Sequence, residues 1–228
     1  MTAPSNSNHL PRVVAIGFNK CGTRSLTELF RSAGHRVIHH KVRKPFTLSR
    51  NLGRIMRRNL SCGRKVFDGV EDYVFYSDLI YSTPKETYEG ATAFREILRD
   101  YPDTILILNF RDREEWIASR LKHGHGEFMR REMNARGLEN QDDLVAQWRS
   151  EWDSHLASVR GFMASNPAQL IEFDIDRDEA AKLSEKLPDY NLTPATFQDI
   201  GRTRGVERSK LLALVKKVVA NSRPRFHR

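Results

Sequence analysis

The sequence predicts an α/β fold with a mostly parallel central sheet. Three observations lead there. Residues 13–16, 73–76, 104–110 and 170–175 are short apolar runs that read as buried strands. Segments with apolar residues at helical spacing separate them, as crossover helices between parallel strands would. Polar, charged residues follow the strands at their C-terminal ends, where parallel sheets carry their sites.

Taken in order, residues 13–16 (VVAI) form the first strand, broken at Gly17, and a polar loop runs to Thr23. From Ser25 the apolar spacing turns helical through Leu26, Leu29, Phe30 and Ala33, and Gly34 suits a C-terminal cap. Residues 36–40 (RVIHH) read as a short strand. Leu48, Leu52, Ile55 and Met56 predict an amphipathic helix from about 47 to 60. Residues 66–69 suit a turn, and residues 73–76 form a strand ending at Ser77-Asp78. A helix over 91–99 stops at Tyr101-Pro102. The most apolar strand, 104–110, leads at once into a helix through Trp116, Ile117 and Ser119. The polar stretch 121–144 is expected to be a mobile lid or acceptor loop with helical pieces, with His123 and His125 as loop residues. Over 147–162, Trp148, Trp152, His155, Val159 and Phe162 share one core-facing stripe. Strand 170–175 and a helix over 178–187, stopped by Pro188, complete the pattern.

Length and composition set the limits. At 228 residues the chain suits one domain, 11–228, preceded by a polar, disordered tail at 1–10. Charged residues at 29% and hydrophobic ones at 39% match a soluble globular protein. A net charge of +9 calls for acidic partners. Two cysteines, Cys21 and Cys62, make no disulfide framework. There is no secretory apolar segment and no membrane-length run, so a cytoplasmic, reduced setting is expected.

The chemistry concentrates in the first loop. A loop that opens a helix presents unpaired backbone N–H groups and the positive end of the helix dipole, a ready anion site. Lys20, Thr23, Arg24 and Ser25 add donors and two positive charges. Gly17 and Gly22 satisfy the first half of the phosphate-loop pattern G-x-x-x-x-G-K-[ST]. The second half departs: Thr23-Arg24-Ser25 follows Gly22, and the lysine sits inside the loop at Lys20. A nucleotide triphosphatase needs that lysine and a Mg²⁺-binding hydroxyl on the helix. The ligand expected here is a phosphate or sulfate ester.

GFNKCGTRSL resembles the 5′-phosphosulfate-binding loop of the sulfotransferases, in which a Lys-x-Gly-Thr core opens the first helix. The resemblance implies a three-layer, P-loop NTPase-like fold and the co-substrate PAPS (3′-phosphoadenosine 5′-phosphosulfate), with PAP as product and no metal. It assigns Asn19, Lys20, Cys21, Gly22, Thr23, Arg24 and Ser25 to the phosphosulfate. A second stretch, ILILNFRDREEWIASR, resembles the family's 3′-phosphate segment. There an arginine at a strand end and a serine eight residues later hold the phosphate, matching Arg111 and Ser119. A guanidinium can hold two phosphate oxygens in a planar fork. The family often has Pro after the Arg-Asp pair, where this chain has Arg113.

In the family, the strand before the arginine strand ends with the catalytic base, usually histidine. The matching residue here is Asp78, with His39 and His40 as alternatives for the base and with an N-cap or structural acceptor as the other reading of Asp78. Lys20 is the expected stabiliser of charge on the leaving phosphate. A late Gly- and basic-rich segment often closes over the nucleotide in the family, and 201–205 (GRTRG) has that composition without the usual Trp-Lys ending.

Residues 41–65 hold nine Lys/Arg and no acid. They read either as a solvated basic face or as a wall that attracts an anionic acceptor or the nucleotide. Nucleic acid is disfavoured, because no aromatics interleave. The basic amphipathic end, from about residue 209, reads as a surface helix. The expected function is metal-independent sulfuryl transfer from PAPS to a hydroxyl or amine of a small-molecule or glycan acceptor. The alternative is a P-loop kinase-like phosphotransferase using ATP-Mg. The sequence leaves the acceptor and the oligomeric state open.

Overall fold

The structure, a computed structural model, describes residues 10–42 and 49–197. The expected tail, residues 43–48 of the basic stretch, the 201–205 segment and the C-terminal helix lie outside the described residues.

The chain forms β1 (Val13–Ala15), α1 (Thr23–Ser32), β2 (Val37–His39), β3 (Lys41–Val42), β4 (Arg50–Asn51) and α2 (Leu52–Ser61). Then come β5 (Phe75–Ser77), β6 (Ile80–Ser82), β7 (Thr87–Glu89), α3 (Phe94–Asp100), β8 (Ile105–Phe110), α4 (Arg113–Lys122), α5 (Glu127–Arg136), α6 (Gln141–Met163), β9 (Leu170–Asp174) and α7 (Ala181–Lys186). Five strands run parallel in the order β2-β5-β1-β8-β9, and β3 and β4 extend the β2 edge antiparallel. β1 lies in the middle, with Val13 between Phe75 and Ile105.

The apolar runs are unbroken because both faces of the sheet are covered. Val14 and Ile16 face a core that takes in Met56 of α2, Phe94 of α3, Trp116 of α4 and Trp148 of α6. Val13 and Ala15 face the other core, with Leu26, Leu29 and Phe30 of α1 and Leu183 of α7. This is the expected three-layer α/β arrangement with a mostly parallel sheet.

Several elements differ from the sequence expectation. α2 starts at Leu52 because the Asn51 side chain caps it, accepting from Arg54 N at 2.8 Å. α6 reaches back to Gln141 on a similar cap, Asn140 accepting from Asp142 N at 2.9 Å. Residues 127–136 are one of the helical pieces expected within 121–144, and this helix is docked: Glu132 is buried, accepts from Thr87 Oγ1 at 2.7 Å and pairs with Arg136 at 3.1 Å. The core stripe of α6 ends before Phe162, which is exposed, while Met163 is buried. The β6–β7 hairpin gives no clear alternation in the sequence.

Candidate active site

The loop between β1 and α1 is shaped by close approach. A Cβ on Gly17 would lie 1.8 Å from the Asn109 carbonyl oxygen, so only glycine lets β1 pass β8 there. Gly22 caps α1 at φ 70°, in the left-handed region. Asn109, the one polar side chain in the apolar strand β8, faces the loop. Its Oδ1 accepts from Gly17 N at 2.9 Å, and its Nδ2 donates to Cys21 O at 2.6 Å. Trp116 Nε1 donates to Asn19 O at 3.0 Å, and Arg120 Nε donates to Asn19 Oδ1 at 2.7 Å. α1 has no acidic residue in its first turn and no side-chain cap, so its positive end is left uncompensated at the loop. Thr27 Oγ1 lies 2.7 Å from Ser77 Oγ, tying α1 to β5.

A cleft of about 290 Å³ opens above this loop at the ends of the parallel strands. Asn19, Lys20, Gly22, Thr23, Arg24 and Ser25 line it, together with Arg111, Ser119 and Asp78. Residues from three distant parts of the chain are thus brought to one place. Cys21 is the exception: its thiol is fully buried in the core, where burial raises its pKa, and only its backbone serves the loop.

The charges are set against one another. Arg111 Nη2 contacts Glu115 at 2.8 Å and Asp176 at 3.3 Å, while its buried Nε has no hydrogen-bond partner. A guanidinium on this cleft with an edge nitrogen unused, and Ser119 beside it, fits a bound phosphate in donor chemistry. Burial lowers the Lys20 pKa; Asp78 opposes this, while Arg24 and Arg111 add to it.

Asp78 sits just past β5 at φ 56°. Its Oδ2 is 3.3 Å from His40 Nδ1 and 3.8 Å from His39 Nε2, and its buried Oδ1 has no hydrogen-bond partner. Burial raises the Asp78 pKa, against His39, Arg120 and Lys20, which lower it. Burial likewise lowers His39 and His40, which favours neutral imidazoles. Thr23 Oγ1 lies 3.3 Å from His39 Nε2, linking the loop to this group. Lys20, His40 and Asp78 all hold positive φ, a backbone conformation that costs energy for residues other than glycine.

A second cavity, of about 890 Å³, adjoins the cleft, and Asn19, Arg24, His39, Asp78 and His123 line both. His123 is the loop residue expected, in the turn after α4, and it lines both spaces. Arg50, Arg54, Arg57 and Arg58 are not among the residues lining either space, so this part of the basic stretch forms no wall of the site. Arg57 pairs instead with Glu86.

The sequence reading missed Arg120, which is 2% exposed. It pairs with Glu89 at 3.0 Å and lies 4.5 Å from the Trp116 ring centre and 5.0 Å from that of Trp148. Burial raises Glu89 to about 7. The available signal was a cation four residues after Trp116, on the inward face of α4. His155, expected as a satisfied core histidine, is one: its Nε2–H donates to Ile16 O at 2.8 Å.

Fold and site define an α/β protein with a mostly parallel sheet and a basic cleft at the strand ends. The family model described as a sulfotransferase domain matches residues 12–161. The chain belongs to the sulfotransferase family. Among solved structures it is similar to a sulfotransferase from Alicyclobacillus acidocaldarius, at 16% identity and a TM-score of 0.48 over 93% of this chain and 92% of that one. No curated protein matches it. None of the described helices is long and apolar enough to cross a membrane.

Proposed function

We propose that the protein transfers a sulfuryl group from PAPS to a hydroxyl or amine of an acceptor, without a metal. One observation carries this reading: the residues assigned to the two ends of the donor line one cleft, with Asp78 where it meets the larger cavity. Asn19 to Ser25 would hold the 5′-phosphosulfate, and Arg111 and Ser119 the 3′-phosphate. Ile175 and Phe197 give the cleft an apolar side suited to a nucleobase.

In the step, the acceptor oxygen or nitrogen bonds to sulfur as the bond from sulfur to the 5′-phosphate oxygen breaks. The acceptor's proton passes to Asp78, and PAP leaves with the added charge on its 5′-phosphate. Lys20 and the loop N–H groups are placed to stabilise that charge as it develops. Lys20, Arg24 and Arg111 supply the positive charge that a metal would otherwise bring. A raised carboxyl pKa suits a base, since proton affinity is what the step requires. His39 and His40 are close enough to orient the Asp78 carboxylate.

The test is release or transfer of ³⁵S from labelled PAPS by the purified protein in EDTA. Turnover that yields PAP is expected. Inertness toward PAPS, with turnover of ATP-Mg, would contradict the proposal.

A further inference from the structure

The larger cavity is about three times the volume of the donor cleft and falls in the upper part of the roughly 300–1,000 Å³ range of small-molecule pockets. Cations from separate elements converge on it. On α1 the positions i, i+3, i+4 and i+7 share a face, and Arg24, Thr27, Glu28 and Arg31 all line the cavity. Lys41 of β3 and Arg131 of α5 line it from other sides. The acids on its wall are already engaged: Glu28 pairs with Arg31, and Asp78 faces His40 at 3.3 Å.

Among the described residues, the side chains of Arg24, Lys41 and Arg131 make no hydrogen bond or ion pair. Arg131 is the most telling of the three. It is half-buried, its Nε is fully shielded from solvent without a hydrogen-bond partner, and its guanidinium rests 6.0 Å from the Phe128 ring centre. A cation on the wall of a cavity with no acid paired to it is available to an anion held there.

The histidines report the same field. Burial is the first cause that lowers His39, His40 and His123. Beyond burial, Arg24 and Arg31 act on His39, Lys41 and Arg131 on His40, and Lys20 and Arg131 on His123, all downward, while Asp78 opposes them at His39 and His40.

We infer that this cavity selects an acceptor that is itself anionic, carrying a carboxylate, sulfate or phosphate besides the group that takes the sulfuryl, with Lys41 and Arg131 as the residues that recognise the charge. The inference rests on the sulfotransferase reading, because it treats Asp78 as the meeting point of donor and acceptor. It assigns the selection to α1, β3 and α5, not to the arginine face of α2.

The experiment compares matched acid and alcohol acceptors, with labelled PAPS as donor: methyl β-glucuronide against methyl β-glucoside, and 4-hydroxybenzoate against 4-hydroxybenzyl alcohol. PAP affinity is measured alongside. The acid of at least one pair should be preferred in kcat/KM by about tenfold or more, the scale of one charge-assisted contact. Lys41→Gln and Arg131→Gln should each shrink that preference through KM, with PAP affinity unchanged. Rescue by Arg131→Lys should be partial, because the charge returns without the fork. A protein that binds PAP but prefers the alcohols, ignores the charge or takes none of the four overturns the inference alone. A protein that binds neither PAP nor PAPS overturns the underlying reading instead.

Discussion

The side-chain amide of Asn109 donates to the Cys21 carbonyl at 2.6 Å and so closes the phosphate loop across the sheet. The same amide accepts from Gly17 N, which fixes both ends of the loop to β8. Asn109 is fully buried. Asn109→Ala should therefore leave a backbone donor and a backbone acceptor unpaired, at about 1–3 kcal/mol each before relaxation. Urea denaturation should show that loss, and calorimetry should show weaker PAP binding as the loop loosens. Unchanged stability with unchanged PAP affinity would remove Asn109 from the account.

Arg120 and Glu89 make a second claim on the loop. Arg120→Met keeps the aromatic packing but strands Glu89, and breaking a buried pair this way costs roughly 3–5 kcal/mol. The double variant Arg120→Met/Glu89→Gln should recover part of that loss, since no charge is left unpaired. Equal losses in the single and double variants, measured by denaturation, would mean that the pair contributes only through packing.

These two residues also show where the sequence was and was not legible. The strands 13–16, 104–110 and 170–175 were readable because parallel strands covered on both faces are apolar without interruption. The loop and the Arg111–Ser119 pair were readable because their spacing is local. Asn109 and Arg120 act across 88 and 101 residues of sequence. Nothing nearby in the chain shows that the amide in β8 faces Gly17 or that the cation in α4 faces Asn19. The charge run 41–65 is conspicuous in sequence but divides in the structure: Lys41 lines the larger cavity, while Arg57 and Arg64 make surface pairs with Glu86 and Asp68. The cations that line the larger cavity, Arg24, Arg31, Lys41 and Arg131, are scattered through the chain.

Asp78 sets a pH dependence. Its folded pKa is raised by burial, so the proposed base loses its proton only above the ordinary carboxylate range. The rise of kcat/KM with pH should accordingly lie above that range, and Asp78→Asn should abolish it together with most turnover. The stability sign is opposite. A raised carboxyl pKa contributes stability below the unfolded value, and that contribution is lost as pH rises through the folded value. Asp78→Asn should thus gain in Tm relative to wild type as pH increases from 4 to 8. A variant that loses Tm at pH 8 while keeping its acid limb would refute both assignments.

Lys20→Ala should cut turnover far more than it weakens PAP. Several backbone donors and Arg111 share the ground-state binding, whereas charge on the leaving oxygen grows only in the transition state. Loss of one preorganised donor at such a position costs about 10²–10³ in kcat. Lys20→Arg should not restore the rate fully, because a planar fork cannot replace a compact ammonium at φ 72° in a tight loop. Equal factors in PAP affinity and kcat would make Lys20 a binding residue only.

The central claim is that Arg111 and Ser119 read a 3′-phosphate in the cleft whose loop holds the 5′ end. The most direct measurement is calorimetric binding of PAP and of 5′-AMP in EDTA, to wild type and to Arg111→Ala. PAP should bind wild type more tightly than 5′-AMP by about 1.5–3 kcal/mol, the scale of a charge-assisted contact, and Arg111→Ala should erase most of that difference while leaving 5′-AMP little changed. Equal affinity of wild type for the two nucleotides would contradict the account.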